Sequence, residues 1–422
     1  MTGEVCGAQG DNGLHKRALL RGWSQAGWRR YIWVLLVCSF LGSGPAWGAA
    51  IRLGAINPLT GNLALHGIEI HQGIVAAVEE ANARGGLQGH PVELLSRDDQ
   101  SRPDVALNQT QDLLYREKVV GLLGGYVDSL VGPISTMAAR HGTPYVAAAS
   151  LQQSLTEQGN PFFFRVSCMS GVVKPLGRFI LERLKPAKVA ILYTATPGST
   201  EFATRLKEML AEQGIAIPLF EKFRPGTPDF SVLLLKAREQ GDDLLISGGF
   251  FPDNLLLARQ LREQRTPLKA FIAPWGVAYE KFIRELRQGS EGLMGLCAWN
   301  PGITYPGTET ASQAFVKRFQ ERFGQAPNTT TMHGYTAARA LLAAIEQVLG
   351  KKEPLSGPAI SRELRSLDLL LPMGRLRFDE KGDPLDYRQV IVQIQQGKLQ
   401  VVYPPERATG ELWYPLNAAS PQ

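Results

Sequence analysis

The residues best suited to chemistry in this chain sit in polar runs that follow glycines. Val119 to Ser129 reads VVGLLGGYVDS, an apolar run that breaks at Gly124-Gly125 and opens into Tyr126, Asp128 and Ser129 ahead of a helical pattern ending at His141. These side chains can hydrogen-bond a small solute, and Asp128 and Ser129 can equally cap the helix. His66, just ahead of another helical stretch, offers a ligand donor or a cap, and Ser150 stands between Ala149 and Leu151 after a further apolar run. Phe250-Phe251 follows SGG at 247–249, where an aromatic pair serves a core or a ligand cleft. Bond-breaking chemistry has no comparable signature. G-x-S-x-G, a Walker-type phosphate loop and H-E-x-x-H are absent. GGLQG at 85–89 lacks the strand-before, helix-after context of a dinucleotide site and reads as a helix C-terminal turn. Cys168 and Cys297 are free of CxxC or His/Cys metal spacing. The expectation is a binding protein, not an enzyme, with no cofactor and no metal.

The elements that must position these residues alternate. Strands are expected at 51–57, 92–96, 119–123 and 143–148, with helical patterns between them. After 163–166 the pattern restarts, with strands at 189–193, 215–219, 244–247 and 270–272 separated by helical patterns such as 200–213 and 230–240. A strand at 293–298 precedes helices at 309–323 and 330–349, and the chain closes with strand-like 374–378, 389–395 and 398–402. Parallel neighbours need crossover connections, so this alternation specifies two α/β units, each a mostly parallel sheet covered on both faces.

The first 50 residues read as a secretory leader. A basic region with Lys16, Arg17, Arg21, Arg29 and Arg30 precedes the apolar run YIWVLLVCSFL, then Gly42, Gly44, Pro45 and the small residues of AWGAA. The run is too short for a membrane span, which favours cleavage near Ala50 and ordinary secretion, with an uncleaved anchor as the alternative. The leader holds five basic and two acidic residues, leaving +3 of the formal +6 on the remaining 372 residues. That mild charge, without a Lys/Arg block, gives no support to a nucleic-acid partner. Cys168 and Cys297 could pair in an oxidising compartment.

The motifs, taken together, resemble the periplasmic solute-binding proteins of the leucine-isoleucine-valine type that feed ABC importers. The likeness runs over nearly all of 51–399 and rests on IRLGAINPLTG, HGIEIHQGIVAAVEEANARGGLQGHPVEL, SRDDQSRPDVA, VVGLLGGYVDS, FFFRV, LLISGGFFPD, APWGVA and MGRLRFDEKGDP. It implies the type I fold: two doubly wound parallel-sheet lobes joined by a three-segment hinge, with the ligand cleft between. The lobes would be 51–166 plus 300–372 and 168–298 plus 374–422, with crossings near 165–168, 296–299 and 374–378. The implied partners are a small-molecule ligand and an inner-membrane transporter, and the protein reads as a monomer. Cys168 and Cys297 would fall on neighbouring hinge strands, near enough for a bridge.

The departures from that family carry the ligand reading. The glutamate that meets an α-ammonium group is replaced by Trp275, and an unpartnered buried ammonium is costly. The serine that holds the carboxylate falls at Asp128, which would repel it. The threonine falls at Leu151 with Ser150 beside it, and family tyrosines fall at His66, Gly198 and Phe250. Met332 and Tyr335 lie on the helix that rims the family's cleft. The expected ligand is therefore mostly apolar, aromatic or lipid-like such as a sterol or hopanoid, with a branched-chain amino acid, amide or urea-type solute as the alternative. A sensor or an enzyme using the same cleft is a second alternative.

Overall fold

The computed structural model describes residues 48–416, so nearly all of the leader lies outside the described residues. Fourteen strands are described: β1 Ile51–Asn57, β2 Val92–Asp98, β3 Gly121–Tyr126, β4 Tyr145–Ala149, β5 Phe163–Arg165, β6 Lys188–Thr194, β7 Ala216–Phe223, β8 Leu244–Gly248, β9 Ala270–Ala273, β10 Met294–Cys297, β11 Leu369–Leu371, β12 Gly374–Leu376, β13 Val390–Gln395 and β14 Lys398–Tyr403.

They form two large sheets. The first has the order β2-β1-β3-β4-β5 and is parallel throughout. The second has the order β14-β13-β10-β9-β8-β6-β7, parallel from β7 to β10 and antiparallel where β13 and β14 join. Each sheet reverses its winding beside its first strand, between β1 and β3 in one and between β6 and β8 in the other. In such sheets ligands bind beyond the carboxyl ends of the strands at that reversal.

Both faces of each sheet are buried, which is why the strands read as unbroken apolar runs rather than alternating ones. One face of the first sheet packs Leu53, Leu123 and Val146 against the helices Ala64–Ala83 and Thr329–Gly350, and the other packs Ile56, Leu122 and Ala147 against Pro103–Gln111 and Asp128–His141. Ile191 and Ile246 of the second sheet face the helices Ser170–Phe179 and Pro197–Ala211, while Leu192 and Leu245 face Ser231–Gln240 and Phe251–Glu263. The late helices Glu309–Phe323 and Thr329–Gly350 return to the first lobe, where Trp299, Phe315 and Phe319 fill its core.

Two expectations about the connections need correction. The third crossing falls later than 374–378, because β12 pairs with β11 in a hairpin and Leu376 and Phe378 pack in the first core. The first residue after the hairpin to be buried in the second core is Tyr387. The cysteines do not bridge: both are buried free thiols. Cys168 Sγ lies 3.4 Å from Ser170 Oγ, and Cys297 Sγ lies 3.3 Å from Thr329 Oγ1, so each faces a hydroxyl of its own surroundings.

Candidate functional site

The carboxyl ends of both sheets converge on one cavity of about 100 Å³ between the lobes. From the first lobe it receives Tyr126, Val127, Asp128 and Ser129 after β3, Ala149 and Leu151 after β4, and Thr329, Thr330 and His333 from the start of a helix. From the second come Thr196 to Ser199 after β6, Phe250 after β8, and Pro274, Trp275, Gly276, Ala278 and Tyr279 after β9. Ser167, Leu296, Tyr387 and Gln389 of the connecting segments close the back.

Asp128 is the charged side chain of this wall. It does not cap its helix as the sequence allows. The N-cap is Val127, held at φ 66°, an unusual conformation for a β-branched residue, and it makes no side-chain cap bond. Asp128 turns sideways instead, and its Oδ1 accepts from Ser150 Oγ, Leu151 N and Gln152 N, each at 2.9 Å. Those three donors bind the turn after β4 to the helix after β3, and they use one carboxylate oxygen. Oδ2 faces the opposing lobe at Gly198, where an added Cβ would stand 2.2 Å from it. A side chain at 198 would therefore force the Asp128 carboxylate or the facing lobe to shift.

The rest of the wall is largely aromatic. Trp275 stacks edge-on to Phe202 at 5.1 Å, and Tyr126 lies 6.3 Å from Phe250 across the lobes. Behind it, Gln389 Nε2 donates to Tyr387 Oη at 2.5 Å, which lies 3.3 Å from His333 Nε2, while Gln389 Oε1 is buried without a partner. Burial pushes His333 down to about 4, so it is neutral at pH 7. Burial likewise raises the hydroxyls of Tyr126 and Tyr387, which remain protonated.

Of the residues singled out in the sequence, Tyr126, Asp128, Ser129, Ala149, Leu151, Gly198, Phe250 and Trp275 are brought together on the cavity wall. Four are not. Ser150 is buried behind the wall, its hydroxyl donating to Asp128. His66 is buried behind Tyr126, ring centroids 4.6 Å apart. Met332 and Tyr335 are buried in the first lobe's core, Tyr335 donating to Glu80 Oε2 at 2.7 Å. The helix is the right one, but its cleft face is Thr329, Thr330 and His333, and Met332 and Tyr335 lie about one step round toward the core. Tyr279, Thr196, Tyr387 and Gln389 went unrecognised. Thr196 sits in a strand-to-helix turn of the kind that exposes Asp128, a signal that could have found it. Among the described residues no group of three His, Cys, Asp or Glu side chains converges as metal ligands would.

The comparisons agree with this fold. The family described as periplasmic binding protein matches residues 50–398, and the chain belongs to that family. It is 28% identical over 367 residues to a Leu/Ile/Val-binding protein homolog 2 of Brucella abortus, spanning 86% of this chain and 95% of that protein. Its fold is similar to that of a leucine binding protein from Thermotoga maritima, with TM-score 0.74 and 24% identity, covering 83% of this chain and 97% of the other. A solute binding protein from Rhodopseudomonas palustris in complex with 3,4-dihydroxybenzoic acid is equally similar in fold, with TM-score 0.74 and 20% identity over 83% and 95% of the two chains.

Proposed function

We propose that this chain is the substrate-binding component of an ABC importer and that it encloses a compact solute of about amino-acid size whose polar end donates hydrogen bonds. Family membership supports a location in the periplasm or outside the cell, and the leader read from the sequence agrees with it. Hinge closure of two lobes over a solute is the motion such a fold performs. The observation that carries the ligand class is Asp128. Its Oδ1 is saturated by the chain, and Oδ2 is left facing the cleft among aromatic walls. An ionised carboxylate only accepts, so the complementary group is an amide, urea-type or amine N–H, or a hydroxyl.

Size narrows the class. A cavity of about 150 Å³ takes benzene, and the space here is about 100 Å³. A space of this order is closer to a single ring or a short branched chain than to the fused rings of a sterol or hopanoid, and this supports the smaller solute over the lipid-like one. A branched-chain amino acid is the second reading, favoured by the relatives' names. Its ammonium would have to meet Asp128 rather than the position held by Trp275.

Titration calorimetry with benzamide, isovaleramide, leucine and 4-hydroxybenzoate tests this, with mass spectrometry of the solute that co-purifies. The amides should bind and should weaken at least about tenfold in Asp128→Asn, since a charge-assisted bond is lost. Tight 4-hydroxybenzoate binding indifferent to that change would overturn the reading. Chemical conversion of the recovered solute would favour an enzyme instead.

A further inference from the structure

We propose that Tyr279 is an interlobe latch: its hydroxyl holds the cleft shut from behind the ligand cavity, whichever solute is bound. Tyr279 follows β9 in the second lobe, yet its Oη lies 2.6 Å from Thr330 Oγ1 and 3.2 Å from His66 Nδ1, both in the first. Burial first, and then the nearby Glu69 and Tyr126, push this hydroxyl well above its ordinary value, so it stays protonated. The protonated hydroxyl can serve both partners at once, accepting from one and donating to the other, in either sense according to the His66 tautomer. On the first-lobe side a carboxylate stands beside the histidine and is itself anchored by one hydrogen bond. Glu69 Oε2 lies 3.5 Å from His66 Nδ1, and Asn328 Nδ2 donates to Glu69 Oε1 at 2.7 Å.

The ring is as well seated as the hydroxyl. Its centroid is 5.6 Å from that of His66 across the lobes and 5.8 Å from that of Phe251 in its own lobe. Tyr279 and its neighbour Ala278 also line a second interlobe space, an outer groove of about 440 Å³ bordered by Glu69 and Asn328 on one side and Lys281, Arg284 and Lys398 on the other. The tyrosine is thus the partition between the ligand cavity and that groove. When the lobes part, its hydroxyl and its two partners separate together, so these bonds exist only in the closed form. No solute atom is needed to make them.

The latch therefore biases the opening equilibrium even in the absence of solute, and the test needs no ligand. Mature protein is stripped of solute by unfolding and refolding, and its closed-to-open ratio is measured by small-angle X-ray scattering. A closed population is expected in the unchanged chain. Tyr279→Phe and Thr330→Val should each lower the ratio by about fivefold, the usual yield of one buried hydrogen bond. The double variant should be little worse than Tyr279→Phe alone, because the two changes remove the same bond. Cooperative melting of each variant shows that the fold persists, and Thr330→Val carries the test alone if Tyr279→Phe fails to fold. Identical scattering of variants and unchanged chain would overturn the latch, and so would a stripped protein that is wholly open. Neither result bears on which solute binds, so failure of the latch and failure of the ligand reading remain distinguishable.

Discussion

At the scale of single residues, Asp128 and Gly198 are a matched pair. The space that a side chain at 198 would occupy is filled by a carboxylate oxygen from the other lobe. Gly198→Ala should therefore leave each lobe folded but impede closure, weakening solute binding at least about tenfold with little change in melting temperature, as read by calorimetry and thermal melting. Asp128→Ala differs from Asp128→Asn in kind. The alanine leaves Ser150 Oγ and the amides of Leu151 and Gln152 without their acceptor, which should cost about 2–4 kcal/mol of stability. The asparagine can keep Oδ1 as acceptor and change stability far less, so denaturant titration of the two variants separates the structural role of this side chain from its ligand role.

At the scale of elements, the carboxyl ends of β1 and β2 contain a titrating group that the cleft does not use. Asp99 is fully buried just after β2, with Oδ1 accepting from Ser101 N at 2.8 Å and Oδ2 without a partner. Burial raises it to about 7. The folded chain thus holds a proton that the unfolded chain releases near pH 4, so the contribution is fully present below about pH 4 and is lost as pH rises through about 7. At about 1.4 kcal/mol per pKa unit, Asp99→Asn should gain on the unchanged chain by about 4 kcal/mol between those limits. His333 runs the other way: lowered to about 4, its contribution is present above about 6.5 and lost as pH falls. The difference between unchanged chain and variant in urea melts across pH isolates Asp99, and a difference that stays flat would show that Asp99 ionises normally.

At the scale of the whole molecule, two of the segments that run between the lobes are tied to each other by a largely buried ion pair. Arg165, 1% exposed in its side chain, donates Nε–H to Asp383 Oδ1 at 2.5 Å and Nη1–H to Gln152 O at 2.8 Å, and Gly382 O accepts from Arg165 N. The pair ties the first crossing to the third, next to the turn that also holds Asp128. Asp383→Ala should cost about 3–5 kcal/mol, since it strands a buried guanidinium, and denaturant unfolding would measure it. The thiols are the second check at this scale. Cys297 is buried and raised to about 11, and Cys168 is buried with it. Thiol titration of residues 51–422, denatured but unreduced, should therefore count two.

What the sequence determined by itself was the alternation of strand and helix, hence two doubly wound sheets, because apolar periodicity and glycine-marked turns are local properties of the chain. The residues at strand ends were legible for the same reason: Tyr126, Asp128, Leu151 and Phe250 follow strands, and strand ends face the crevice. What lay beyond reach was set by contacts between distant segments. Which face of the helix Thr329–Gly350 meets the cleft depends on how it packs against Ala64–Ala83, so Met332 and Tyr335 went to the core and His333 to the wall. The state of Asp128 depended on donors more than twenty residues away, and Tyr279 acquired its partners only because Thr330 and His66 are brought to it across the lobes. Sequence spacing fixes where a side chain sits along its own element, and only closure of the two lobes decides what it meets.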